Sequence, residues 1–190
     1  INDAPTKTVS ANGQPLITTE GANNKLEYWS VDNVGNEESH HTLTEIKLDK
    51  TTPTIGVPSR IPDEDILPEQ EVKISVTVTD ALSEVKNVTL SYTTNDGNTW
   101  TNLPMNYNPS TTLYEATIPP QRAGTWVKYK IVAQDNAGNQ ATKDGADPFF
   151  IYQVIPEFPT WTAILATLSI LSVTLTLLRR RTHPHHHNHN

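Results

Sequence analysis

The chain has 190 residues, 35% of them hydrophobic and none cysteine, with a formal net charge of −7. That length allows one large or two small domains, and the missing cysteines exclude a disulfide framework and thiol chemistry. All 21 Asp and Glu precede residue 160, together with the 11 Lys and Arg that remain of 14 once Arg179, Arg180 and Arg181 are set aside. An acidic body excludes the positive face that phosphate recognition needs, and with it nucleic acid.

The chain starts at Ile1 without an initiator Met or a secretory leader, and is read as a C-terminal piece of a longer protein. Residues 1–50 contain "LEYWSVDNVGNEESHHTLTEIKLDK". It reads as a strand, a turn and a second strand, with Asp32, Gly35 and Asn36 supplying turn chemistry. Residues 51–70 read as a Pro-rich linker and a first strand near "TIGVP".

Residues 71–152 alternate with period two. Val72, Ile74, Val76 and Val78 share one face of "EVKISVTVTD"; Val88, Leu90 and Tyr92 share one face of "VKNVTLSYTT". After Asp96-Gly97 come "TWTNLPMNY" and "TTLYEATIP". "GTWVKYKIVAQD" then aligns Val127, Tyr129, Ile131 and Ala133, and the turn Asn136-Ala137-Gly138-Asn139 leads to a last strand ending near "PFFIYQV". About seven short strands over roughly 100 residues predict a Greek-key β-sandwich.

Residues 153–159 form a stalk with Pro156, Glu157, Phe158 and Pro159. Residues 158–178 carry no charge. As a helix they would span roughly 30 Å, one hydrocarbon core. This predicts a transmembrane helix at 160–178 rather than a buried core helix. Trp161 stands at the interface, and Arg179–Arg181 mark the cytoplasmic side. The tail at 179–190 holds five of the seven His, either a low-complexity end or a weak metal-binding tract.

The runs "VTDALSEV", "SYTTNDGNTW" and "YEATIPPQRAGTWVKYKIVAQDNAGNQA" resemble fibronectin type III or Ig-like repeats of prokaryotic, especially archaeal, surface proteins. The resemblance covers residues 52–152 and implies that the runs from "EVKISVTVTD" onward are strands B, C, C′, E, F and G in order. Residues 1–50 resemble the last part of a second repeat. There Asp32 corresponds to Asp135, while Leu26, Tyr28 and Ser30 correspond to Tyr129, Ile131 and Ala133. "IND" at the start resembles the end of that repeat's strand C. Such a partial sandwich leaves apolar strand faces uncovered and is expected to pack poorly by itself. Pro156-Glu157-Phe158-Pro159, the apolar span and the Arg cluster resemble a PEF-CTERM anchor. That resemblance implies recognition by an archaeosortase and replacement of the tail by lipid. The chain continues beyond the Arg cluster, which favours a permanent helix.

Two Asp-Asn-x-Gly-Asn stretches, at 32–36 and 135–139, are the strongest ligand candidates. In a sandwich the B–C and F–G loops share one end, so Asp80 and Glu84 are expected near Asp135, Asn136 and Asn139. Such an oxygen-rich group suits Ca²⁺ at a domain junction. The competing reading is turn chemistry alone, with no cofactor. Thr93–Trp100 fits the Asp-box pattern known from sialidases, read here as a hairpin device with glycan contact as the alternative. Asn87-Val88-Thr89 is the one Asn-x-Ser/Thr sequon with x other than Pro, with Asn87 expected to face out as a glycosylation candidate. Acidic pairs such as Asp63/Asp65 and Glu37/Glu38 read as solvated surface, and adjacent His40 and His41 should point to opposite faces.

The expected function is a membrane-anchored surface region with a structural, display or adhesion role and no catalysis of its own. It would have its N-terminus outside and its C-terminus in the cytoplasm. Its partners would be the lipid bilayer, neighbouring repeats, and surface proteins or glycans. The alternatives are an accessory region of a larger surface hydrolase, and a Ca²⁺-dependent or glycan-binding adhesion module.

Overall fold

Period-two alternation organises the chain into strands, and the computed structural model describes residues 1–10, 13, 16–145 and 149–156. The expected helix at 160–178, Glu157, Phe158 and Pro159 of the anchor motif, Arg179, Arg180, Arg181 and the His-rich tail lie outside the described residues. Among the described residues there is no helix long and apolar enough to cross a membrane.

The first two strands, β1 (Gly21–Tyr28) and β2 (His41–Leu48), form an antiparallel pair. Asn2 lies beside them: its backbone N–H donates to the Lys25 carbonyl at 3.0 Å, and its side chain accepts from the Lys25 N–H. Asn2 and Asp3 themselves form a turn with positive φ and not a strand. Tyr28, Val31, Val34 and Leu43 are exposed.

Among the described residues eleven more strands follow: β3 (Thr54–Ile55), β4 (Ser59–Ile61), β5 (Val72–Val76), β6 (Val78–Thr79), β7 (Val85–Thr93), β8 (Thr101–Pro104), β9 (Asn106–Asn108), β10 (Leu113–Ile118), β11 (Trp126–Asp135), β12 (Gln140–Lys143) and β13 (Phe150–Gln153). One sheet has the order β4-β5-β10-β9. The other runs β12-β11-β7-β8, and β13 also pairs with β11. β3 pairs separately with β6. Every strand pairing is antiparallel.

The two sheets enclose one core. From the first come Val72, Ile74, Val76 and Ile118; from the second come Val88, Leu90, Tyr92, Val127, Tyr129, Ile131, Ala133 and Tyr152. These include every inward residue expected from β5, β7 and β11. Each fully buried aliphatic side chain contributes about 1.5–3 kcal/mol of transfer free energy, which makes this face the main source of stability.

Three features depart from the simple strand series. "TWTNLPMNY" is two strands: β8 pairs with β7, whereas β9 has crossed to β10 on the other sheet. Met105 is the crossing residue, buried in the core, with its N–H donating to the Val88 carbonyl at 2.9 Å. The last strand is also double, because β11 pairs along its first part with β13 and along its second with β12. Finally, Ile66 in the Pro-rich segment is buried and forms a parallel bridge with Val154, which fastens residues 62–70 to the core.

Candidate metal centre

β11 positions the central residue of the site. Its inward series runs Val127, Tyr129, Ile131 and Ala133, and one further step of two residues gives Asp135, which is 0% exposed. The strand therefore delivers a carboxylate where a core residue would otherwise sit. The turn that follows satisfies part of it. The Asn139 N–H donates to Asp135 Oδ1 and the Asn139 side-chain amide donates to Oδ2, both at 2.8 Å. Asp135 N–H donates to the Asn139 carbonyl at 3.1 Å, and Gly138 closes the turn at φ +97°. Positive φ of this kind is strained for a residue with a Cβ.

The turn of residues 32–36 is built in the same way. Asn36 N–H donates to Asp32 Oδ1 at 2.8 Å, its side-chain amide donates to Oδ2 at 2.6 Å, and Asp32 N–H donates to the Asn36 carbonyl at 3.0 Å. Gly35 stands at φ +93°. Asp32 is exposed, and these hydrogen bonds, the side-chain amide of Asn36 first, hold its carboxyl below the usual range.

Around Asp135 the surroundings differ. Asp80, just after β6, bends its loop back by accepting the N–H groups of Leu82, Ser83 and Glu84 on Oδ1 at 2.8–3.1 Å. Asp49, directly after β2, accepts the Ser83 N–H at 3.1 Å. The Asn139 side-chain amide also lies within donating distance of the carbonyls of Asp49 and Thr51, at 3.3 and 3.2 Å. The loops after β6 and β11 and the segment at 49–51 thus meet at one point.

That meeting brings one carboxylate oxygen each of Asp49, Asp80 and Asp135 within 4.8 Å of one another. Among the described residues, none of the three is in an ion pair. Oxygens bound to one Ca²⁺ lie 2.3–2.6 Å from it, so two of them are at most roughly 5 Å apart. The spacing of the trio is therefore compatible with one hard divalent cation.

The other three expected ligands lie around this trio. Asn136 ties the loops together, with its side-chain amide donating to the Ser83 carbonyl at 2.8 Å and its N–H donating to the Glu84 carbonyl at 3.1 Å. Glu84 is exposed at φ +66°, and its carboxylate lies outside the group of three. Asn139 orients Asp135 by donation. Asp49 lies 31 residues before Asp80 in the chain, and no local spacing marks it as a ligand.

The remaining candidates are also placed. In the Asp-box, Asn95 Oδ1 accepts from the Thr93 hydroxyl at 2.8 Å and the Thr99 N–H at 2.9 Å. A Cβ on Gly97 would lie 3.9 Å from the Trp100 ring, so the indole packs beneath the turn as a hairpin device requires. Asp96 pairs with Lys128, which holds its carboxyl below the usual range. Asn87 is exposed on β7, with its amide 3.4 Å from Gln134 Oε1.

No family model matches this chain, and no curated protein sequence matches it.

Proposed function

We propose that the chain is a membrane-anchored surface region in which Ig-like or fibronectin type III-like repeats serve as a spacer for display or adhesion. The observation that carries this reading is the shared hydrogen-bond pattern of the turns at Asp32–Asn36 and Asp135–Asn139. Two β-units that share one turn geometry support a reading as tandem copies of one fold. In fibronectin-type lettering the sheets are A-B-E with β9 beside E, and G-F-C-C′, an arrangement that supports the Ig-like reading. The anchor rests on the uncharged 158–178 segment and on Arg179–Arg181. A spacer needs neither nucleophile nor cofactor. The test is membrane partition: the full chain should stay with membranes through an alkaline carbonate wash, and a chain ending at Ile155 should be released. Release of the full chain by the wash would overturn the anchor.

A second reading is favoured by the clustering of Asp49, Asp80 and Asp135. Asp49 belongs to the segment joining the two repeats, so a Ca²⁺ bound there would stiffen the junction as well as relieve the charge. Binding to the folded state alone raises stability with ligand concentration. A rise in melting temperature with millimolar Ca²⁺, reversed by chelator, is the expected result, and an unchanged melting temperature removes the reading.

A further inference from the structure

At the end of the β1–β2 pair, His40 lies opposite Trp29 and its imidazole stacks on the indole, with ring centroids 3.9 Å apart and planes 10° from parallel. Both ring nitrogens face carboxylates. Nδ1 is 3.0 Å from Oε1 of Glu27 on β1, and Nε2 is 3.1 Å from Oε1 of Glu37 in the connecting loop. An ionised carboxylate only accepts hydrogen bonds, and a neutral imidazole carries one N–H. Both contacts can be hydrogen bonds to ionised glutamates only when His40 is an imidazolium. The indole face adds to this preference, because a cation is attracted to it.

The neighbouring groups reinforce the arrangement. His41, on the other face, stacks on Tyr28 with centroids 5.3 Å apart, and its Nε2 lies 2.9 Å from Glu38 Oε1. Glu38 also accepts the Ser30 hydroxyl, and its N–H donates to the Ser30 carbonyl at 2.9 Å. Among the described residues, no Lys or Arg pairs with Glu27, Glu37 or Glu38. The charges facing His40 are therefore negative, from β1 and from the loop.

We propose that His40, Glu27 and Glu37 form a protonation-dependent clasp that holds the Asp32–Asn36 loop to β1 and releases one arm when His40 loses its proton. The bonds to Glu27 and then Glu37 raise the His40 pKa above its ordinary 6.5. A raised histidine contributes stability that is complete below the unfolded value near 6.5 and is lost as pH rises through the folded value. The clasp is thus closed in mildly acidic surroundings and open in alkaline ones. His40 is 43% exposed, so salt should weaken the effect.

The test uses the full chain in detergent micelles. The His40 ring protons are followed by NMR from pH 5 to 9, assigned by their loss in His40→Gln. Amide exchange of Asp32 and Glu38, corrected for intrinsic rates, is read over the same range. His40 should titrate above 6.5, and loop protection should fall about two- to fivefold across that midpoint, the range expected of an exposed ion pair. Glu37→Gln, an exposed change, should lower the midpoint and flatten the fall in protection. A His40 midpoint at or below 6.5, or loop protection that does not change across the midpoint, overturns the proposal.

Discussion

Asn139 holds Asp135 from two sides, through its backbone N–H on Oδ1 and its side-chain amide on Oδ2, each at 2.8 Å. The same amide group lies within donating distance of the carbonyls of Asp49 and Thr51, so one side chain orients the buried carboxylate and ties the segment after β2 to it. Asn139→Ala leaves a buried carboxylate oxygen without its donor. It should cost about 1–3 kcal/mol in urea unfolding, the usual penalty for stranding a buried acceptor. If Ca²⁺ binds, millimolar Ca²⁺ should recover part of that loss.

Asp80→Asn separates charge from hydrogen bonding. The Asn side chain keeps an oxygen for the Leu82, Ser83 and Glu84 N–H groups that Asp80 Oδ1 accepts. It removes one of three repelling charges, so in chelator its melting temperature should equal or exceed that of the parent. In millimolar Ca²⁺ the order should reverse, because the variant has lost a ligand. Thermal melting in the two buffers reads both effects.

Gly138 stands at φ +97° with nothing within 4 Å of where a Cβ would be. Gly138→Ala therefore meets no clash, and its cost is the backbone conformation alone, about 1–2 kcal/mol. For a domain of about 100 residues that lowers the melting temperature by several degrees. A neutral result would mean that the turn relaxes to negative φ.

Tyr152 is buried and its hydroxyl has no hydrogen-bond partner among the described residues, while the Arg60 guanidinium lies 5.3 Å from its ring centroid. Burial pushes its phenol well above the ordinary range. Tyr152→Phe keeps the ring packing and breaks no bond, so stability should hold or rise slightly. Ile131→Ala in the same core should instead cost about 2–5 kcal/mol. Urea midpoints of the two variants make the comparison.

The core faces of β5, β7 and β11 were legible because period-two alternation in one strand needs no knowledge of its neighbours. The Asp-box hairpin was legible for the same reason: Thr93, Asn95, Gly97 and Trp100 act within eight residues. The correspondence of Asp32 with Asp135 could also be read locally. The burial of Asp135 lay in the same pattern, one step beyond Ala133, where an acidic residue hides the continuation of an apolar series. Asp49 was not legible, since only the folded path of the linker brings it to Asp80. The roles of Asn136 and Glu84 depend on which atoms the backbone engages, and proximity in sequence does not reveal that. The crossing at Met105 and the Ile66–Val154 bridge depend on pairing between distant segments, which alternation cannot register.

The orientation of the chain in a membrane is the most direct test of the proposed role. These 190 residues contain no cysteine, so single cysteines introduced into them report cleanly. Asn87→Cys places a thiol on an exposed position of β7, and Thr182→Cys places one just after the Arg cluster. With the full chain expressed in cells, a membrane-impermeant maleimide should label Asn87→Cys on intact cells and Thr182→Cys only after lysis. Labelling of Thr182→Cys on intact cells, with Asn87→Cys protected, would contradict a surface spacer standing on a C-terminal anchor.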